Sequence, residues 1–522
     1  MLPPTRPISV PALVLVLSFL GITKAAIGPI AELVIANKHI MPDGYKRSAV
    51  LAGGTFPGPL IRGVKGDTFK INVKNALTDP DTLLSTTVHW HGIYQKTTNW
   101  ADGTAFVTQC PITTNHSFLY EFSVPDQAGT YWYHSHLSTQ YCDGLRGAMV
   151  VYDPMDPHKH LYDIDDESTI ITLADWYHVS SRSPDLKIPE STLINGKGRT
   201  RYDVGRKIAL SVINIHSNKR YRFRLIGMAC EASFNFSIDK HSMTIIEADG
   251  ENTLTHEVDS IRIYAGQRYS VVVHANQPID NYWIRADPSG LLAGFDSGRN
   301  SAILRYAGAP QTEPHFVQPP PSRKPLHEVD LRALTDVTVP GLPFPGGVDR
   351  PVHLKIGFNA MAWRFLMNNH SFIPPSAPAL LQIISGAKTV QELMPKGSYY
   401  ELKRGEVVEL SLPGVGHAGH PFHMHGHSFW VVRSAGSDTY NFKNPVRRDT
   451  FNTGLAGSNA TIRFVADSSG PWFLHCHVDQ HLDMGLGVVF AEDIPNVVEE
   501  NPVPEAWKEL CPLYDALRPD QL

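Results

Sequence analysis

The stretch GPWFLHCHVDQHLDMGL, residues 470–486, decides how this chain is read. On an extended strand successive side chains point to opposite faces, so Cys476 faces one way while His475 and His477 face the other. One strand can therefore serve two metal centres. A thiolate with two imidazoles is the ligand set of a blue-copper electron-transfer site, whereas imidazoles alone suit redox metals that meet dioxygen. His481, four residues past His477, and a distant His420 complete the thiolate set.

Working outward, GTYWYHSH (129–136) matches GPWFLHCH (470–477) in register, and Gly-Leu follows each at the same spacing, at Gly144-Leu145 and Gly485-Leu486. An earlier pair agrees: GDTFKINV (66–73) leads to HWHG (89–92), and GEVVELSL (405–412) leads to HMHG (423–426). The first and last parts of the chain are thus copies, each holding two His-x-His strands. A faded copy lies between them, where GQRYSVVVHA (266–275) precedes NYWIRAD (281–287) with no His-x-His. Short runs rich in Val, Ile, Thr, Tyr and Phe, such as FKINVKN (69–75) and RYSVVVHA (268–275), are separated by Gly, Pro, Asn and Asp. That pattern predicts an all-β protein of sandwich-like units, with helix confined to connections and the C-terminal tail. Breaks near Pro154 and along the proline-rich 311–325 stretch predict domains at 26–155, 156–325 and 326–522.

At 522 residues the chain is long enough for roughly three or four domains. Residues 1–25 read as a secretory signal: Arg6, an apolar run from Val10 to Ile22, and small residues ahead of Ala26. The apolar run is short of the roughly 20 residues that span a bilayer. The expectation is a secreted, extracellular protein, and the sequons at Asn115, Asn235, Asn369 and Asn459 fit that route as glycosylation sites. Removing the signal takes away Arg6 and Lys24 and no acid, moving the formal charge from −5 to −7. With that mild acidity and no basic run, neither nucleic acid nor an anionic membrane is expected as a partner. Of five cysteines, Cys476 is withheld as a ligand, and Cys110, Cys142, Cys230 and Cys511 can pair in three ways.

Histidine pairs arise by chance in a chain with 25 histidines, but four in equivalent places of two repeats do not. The pairs are His89/His91, His134/His136, His423/His425 and His475/His477. Imidazoles do not by themselves choose among copper, zinc, iron and nickel; Cys476 with His420 and His481 chooses copper. A weak axial Met, where blue-copper sites have one, falls five residues past the last histidine, and that position is Leu486. Leu cannot coordinate, which favours the reduced metal and raises the potential. Met484 is off register and reads as core filler. His427, His158 and His160 lack repeat partners and read as exposed residues or neighbours of the ligands.

The segments HWHGIYQ (89–95), WYHSHLSTQYCDG (132–144), HPFHMHGHSF (420–429) and HCHVDQHLDMGL (475–486) resemble the four copper signatures of multicopper oxidases, secreted fungal laccases above all. The resemblance covers essentially the whole chain from Ala26. It implies three cupredoxin-like domains and four copper ions. His420, Cys476 and His481 would hold type 1 copper, His89 and His423 type 2, and His91, His134, His136, His425, His475 and His477 the type 3 pair. It also implies disulfides Cys110–Cys511 and Cys142–Cys230.

By the same resemblance Glu231 stands where an acid receives the proton of a phenol or aromatic amine, since losing that proton eases electron loss. Asp102 in NWADG and Asp449 in RRDTF resemble acids that relay protons to the three-copper site. Met424 and Gln480 depart from the usual pattern and are expected beside the ligands, tuning them. The implied reaction is oxidation of four phenol or aromatic-amine molecules, one electron each, coupled to reduction of dioxygen to two waters, by a monomer acting on substrates such as lignin-derived phenols. The rivals are an iron oxidase of the same family, which calls for several carboxylates near the type 1 pocket, and a secreted copper-binding protein without turnover.

Overall fold

The computed structural model describes residues 26–522 apart from 184–186, 201, 203–207, 232, 290–292, 320, 336–337, 519–520 and 522. The segment 1–25, read as a secretory signal, lies outside the described residues. No described helix is long and apolar enough to cross a membrane.

Strands dominate, and their inward faces follow the alternation in the sequence. In Thr68–Ala76 the residues Phe69, Ile71 and Val73 are buried while the intervening Lys70, Asn72 and Lys74 are not. A strand of period two with one apolar face needs a second sheet to cover it. In the first part that cover is a sheet ordered Gly58–Val64, Arg146–Tyr152, Gly129–His134, His89–His91. The last part repeats the order with Tyr399–Leu402, Gly487–Glu492, Gly470–Cys476 and Pro421–Met424. The copies share register as well: His89 lies opposite His134, and His423 opposite His475. The middle part carries a seven-stranded and a five-stranded sheet, with Arg268–His274 in the first and Asn281–Pro288 in the second. These are three cupredoxin-like β units.

One apolar cluster joins Phe69, Ile71 and Trp90 of the first part to Phe473, Val489 and Trp507 of the last. Each fully buried large apolar side chain there contributes about 1.5–3 kcal/mol over exposure, so the two His-x-His sheets are pressed together by ordinary core packing. Cys110–Cys511 and Cys142–Cys230 are both disulfide-bonded, spanning sequence separations of 401 and 88. By chain entropy each contributes roughly 5 kcal/mol. The first clamps the C-terminal helix Leu510–Asp515 onto the first part.

Candidate metal centre

The eight histidines of the four His-x-His pairs are all buried and converge between the first and last parts. Alternation explains the convergence. Trp90 and Met424 turn into the apolar cores, so the histidines on either side turn to the gap between sheets. Their ring nitrogens form groups in which every candidate atom lies within 4.8 Å of the others: His91, His134 and His477; His136, His425 and His475; and a third of His89 and His423 shared with His91.

Hydrogen bonds fix the tautomers. His475 Nδ1 donates to the Cys476 carbonyl at 2.9 Å, and His425 Nδ1 donates to Asp102 Oδ2 at 2.9 Å. Those acceptors hold the proton on Nδ1, leaving each Nε2 with a bare lone pair. The two Nε2 atoms nevertheless face each other at 3.0 Å. Two lone pairs at that distance repel unless a cation lies between them. The same logic holds at His89, His134 and His423, whose Nδ1 groups donate to the carbonyls of Asp102, Ser135 and Asp449 at 2.7, 2.7 and 3.0 Å. Their buried Nε2 atoms have no hydrogen-bond partner among the described residues. His91 is turned over: Nε2 faces Asp449 Oδ1 at 3.2 Å, and Nδ1 faces His477 Nε2 at 3.2 Å. A second hydrogen bond that orients each imidazole is the usual support of a metal ligand.

Burial and mutual proximity push His91, His134, His136, His425 and His475 well below the ordinary histidine value, and His477 down to about 3. The imidazoles are neutral, as ligation requires. The Asp449 carboxyl would be raised by burial, but the Arg268 charge overrides this and holds it well below the carboxylate range. Burial likewise opposes ionisation of Asp102, and His89 beside it brings its pKa down. Both acids are buried among the histidines, away from the protein surface.

On the other face of Gly470–Cys476, Cys476 Sγ lies 3.7 Å from His420 Nδ1 and 3.6 Å from His481 Nδ1. His481 sits on the one-turn helix Asp479–Asp483, which returns the chain to the sulfur, and its carbonyl accepts from Leu486 N at 3.0 Å. Leu486 is fully buried, and its carbonyl accepts from Cys476 N at 3.0 Å. Burial pushes the Cys476 thiol up to about 12, so ligation as thiolate releases a proton. Burial and His420 bring His481 down to about 3. His481 is half-buried, with the Phe365 ring 4.6 Å from its own.

Glu231 reaches the surface beside this helix. Its backbone N–H and that of Cys230 donate to the two oxygens of Asp175, and the Cys230 carbonyl accepts from Asp479 N at 2.8 Å. Dehydration around the carboxyl, then the Asp175 charge, raises Glu231 to about 7.

Met424 is fully buried in the apolar cluster that also holds Cys476 and Leu486, on the face opposite its two flanking histidines. Gln480, half-buried and next to His481 in the chain, donates its Nε2 to the Lys187 carbonyl at 3.4 Å. Met484 is half-buried, so it is not core filler; its carbonyl accepts from Phe365 N at 3.0 Å. Among the unrepeated histidines, His160 is exposed, whereas His158 is buried against the Thr253 carbonyl and His427 lies 3.2 Å from Glu492.

The sequence reading missed the middle part's contribution. Arg268, fully buried, grips Asp449 with both terminal nitrogens, and Gln267 Nε2 donates to the Thr450 carbonyl at 3.1 Å. Gly266, at φ +85°, brings its backbone so close that a Cβ would stand 2.9 Å from His477 and 3.1 Å from His91. In the faded copy GQRY an arginine stands where the outer copies have Thr68 and Val407, a difference that names no partner.

Signatures of the multicopper oxidase family match residues 34–156, 167–309 and 372–496. Laccases of Pycnoporus cinnabarinus and Trametes hirsuta are 55% identical over 511 and 509 residues, covering 97% and 96% of this chain and 98% and 97% of theirs. The chain belongs to the multicopper oxidase family. Among solved structures, the laccase of Botrytis aclada superposes with a TM-score of 0.82 at 29% identity, covering 94% of this chain and 93% of that one. Fet3p, described as a multicopper oxidase that functions in iron import, superposes at 0.81 with 25% identity, covering 94% and 95%. As a multicopper oxidase the protein takes four copper ions: one type 1, one type 2 and two type 3.

Proposed function

We propose that this multicopper oxidase is a laccase-type enzyme, oxidising phenols or aromatic amines one electron at a time and reducing dioxygen to two waters. The lone-pair confrontation of His425 and His475 Nε2 at 3.0 Å carries the reading. It makes sense only around a cation, and it lies one residue from the Cys476 thiol. Full-length laccases at 55% identity support this activity over an iron oxidase or an inert copper store.

His420, Cys476 and His481 would hold type 1 copper, with Leu486 beside them as a residue that cannot coordinate. His89 and His423 would hold type 2. His91, His134 and His477 would hold one type 3 ion, and His136, His425 and His475 the other. Bound copper supplies the electron acceptor and the four-electron reduction of dioxygen. The chain's share is geometry and protons. The covalent path between the two centres runs through Cys476 into His475 or His477. Glu231 accepts the phenolic proton, its pKa raised to about 7 making it a stronger base than an ordinary carboxylate. Asp102 and Asp449, held as carboxylates at the cluster, receive and pass the protons that water formation consumes. Packing of the two outer sheets excludes bulk water from reactive oxygen.

The domain limits fall at 26–155, 156–325 and 326–522. Residues 1–25 direct secretion of a monomer, and Asn115, Asn235 and Asn369, all exposed, together with half-buried Asn459 are the glycan acceptors. Oxygen uptake by copper-loaded protein with a methoxyphenol, compared with iron(II), tests the activity. Faster turnover of the phenol is expected; preference for the ion would overturn the assignment.

A further inference from the structure

A two-stranded hairpin, Ile356–Asn359 with Arg364–Met367, stands beside the type 1 centre. It is fastened to the His481 helix and the turn that follows: Arg364 Nη1 donates to the Asp483 carbonyl at 3.0 Å, and Phe365 N donates to the Met484 carbonyl at 3.0 Å. At its turn Trp363 is 68% exposed, in a left-handed conformation at φ +50°. An aromatic residue rarely adopts that backbone, and burial does not repay it here. The indole is not isolated, however. Its ring centre lies 5.3 Å from that of Phe358; Phe358 lies 5.1 Å from its cross-strand partner Phe365; and Phe365 lies 4.6 Å from the His481 ring.

We propose that Trp363 is a second electron-entry site of this enzyme, serving phenolic polymers too bulky to bring a ring to half-buried His481. The inference rests on the laccase-type reading. Of the three aromatic rings only indole is oxidised readily; the two phenyl rings fill the path with π density in place of water and change no oxidation state. The indole gives one electron to type 1 copper, which goes from copper(II) to copper(I). Its N–H proton leaves to solvent, which the exposure permits. The neutral indolyl radical then takes an electron and a proton from a phenolic hydroxyl of the polymer. Indole is restored, and the polymer carries a phenoxyl radical. A wall that merely docks aromatic substrates would need a flat ring but not an oxidisable one, and Trp363→Phe separates the two roles.

The test uses full-length copper-loaded enzyme, its Trp363→Phe and Trp363→Leu variants, a free methoxyphenol, and the same phenol grafted to high-molecular-weight dextran. A nitroso spin trap followed by peptide mass mapping reads the radical directly, in air and without donor. The wild type should carry the adduct on Trp363, and the Cys476→Ser protein should not. Both Trp363 variants should oxidise grafted phenol at least about 5-fold more slowly, while free methoxyphenol stays within about 2-fold. Absence of the adduct at Trp363, or undiminished grafted-phenol oxidation by Trp363→Phe, overturns the proposal and leaves the laccase reading standing. Failure of the wild type to oxidise even the free phenol overturns both.

Discussion

The two terminal nitrogens of Arg268 meet the two carboxylate oxygens of Asp449 at 2.7 and 2.6 Å, with both side chains buried. The arginine comes from the part of the chain that has no His-x-His strand, and the aspartate touches His91 and, through its own carbonyl, His423. A buried carboxylate without its partner charge is costly, about 3–5 kcal/mol when such a pair is broken. The middle unit thus braces His91 and His423 through Asp449 while contributing none of the eight paired histidines.

Replacing Arg268 by Leu should therefore strip copper selectively from the cluster. Loss of a group that orients ligands typically costs about 10–100-fold in metal affinity. Copper per chain should fall below four and the type 2 paramagnetic signal should fade, while the blue absorption of type 1 copper persists. Arg268→Lys keeps the charge but not the fork, and should retain more type 2 copper than Leu. Equal loss of type 1 and type 2 signals would show that the residue acts only on folding.

Glu231 sets a pH dependence with a definite sign. Its pKa is raised from an ordinary 4.5 to about 7 by dehydration and by Asp175, so the base form grows in as pH rises through about 7. The kcat/KM for a phenol should rise across that interval in the wild type and not in Glu231→Gln, whereas a donor with no ionisable hydrogen should show no such limb. Stability runs the other way. Between about 4.5 and 7 the folded chain binds the proton that the unfolded chain releases, so this group's contribution falls as pH rises through the window and is level above it. A shared pH profile for the wild type and Glu231→Gln would remove Glu231 from the base role.

How far the chain could be read follows from the range of each interaction. The copper-ligand candidates were legible because alternation is local: in GPWFLHCH and GTYWYHSH, whichever face the core takes, the histidines take the other. By the same rule Met424, between His423 and His425, takes the core face, which is the face of Cys476. Arg268 was not legible. Its partner lies 181 residues away, on another sheet, and no periodicity connects them. Phe365 was likewise hidden, since its approach to His481 depends on how one hairpin docks against one helical turn. The disulfides needed the resemblance, because four cysteines allow three pairings and only the fold brings Cys110 to Cys511.

Under the proposed assignment Leu486, buried beside Cys476, would offer type 1 copper no further donor. Leu486→Met should place a thioether at that position, stabilise copper(II), and lower the type 1 potential by about 60 mV or more, a tenfold change for a one-electron couple. Spectroelectrochemical titration of the blue band reads this directly. An unchanged or raised potential would mean that the position does not face the metal.

The central claim is that Cys476, as thiolate, holds type 1 copper one residue from the cluster histidines. Visible and paramagnetic resonance spectra of fully metallated wild type and Cys476→Ser, recorded with copper analysis, test it most directly. The account predicts an intense thiolate-to-copper band and four coppers per chain in the wild type; in the variant the band and phenol oxidation are lost while the cluster copper remains. A blue band that survives in Cys476→Ser, or a wild type that binds no copper, would contradict it.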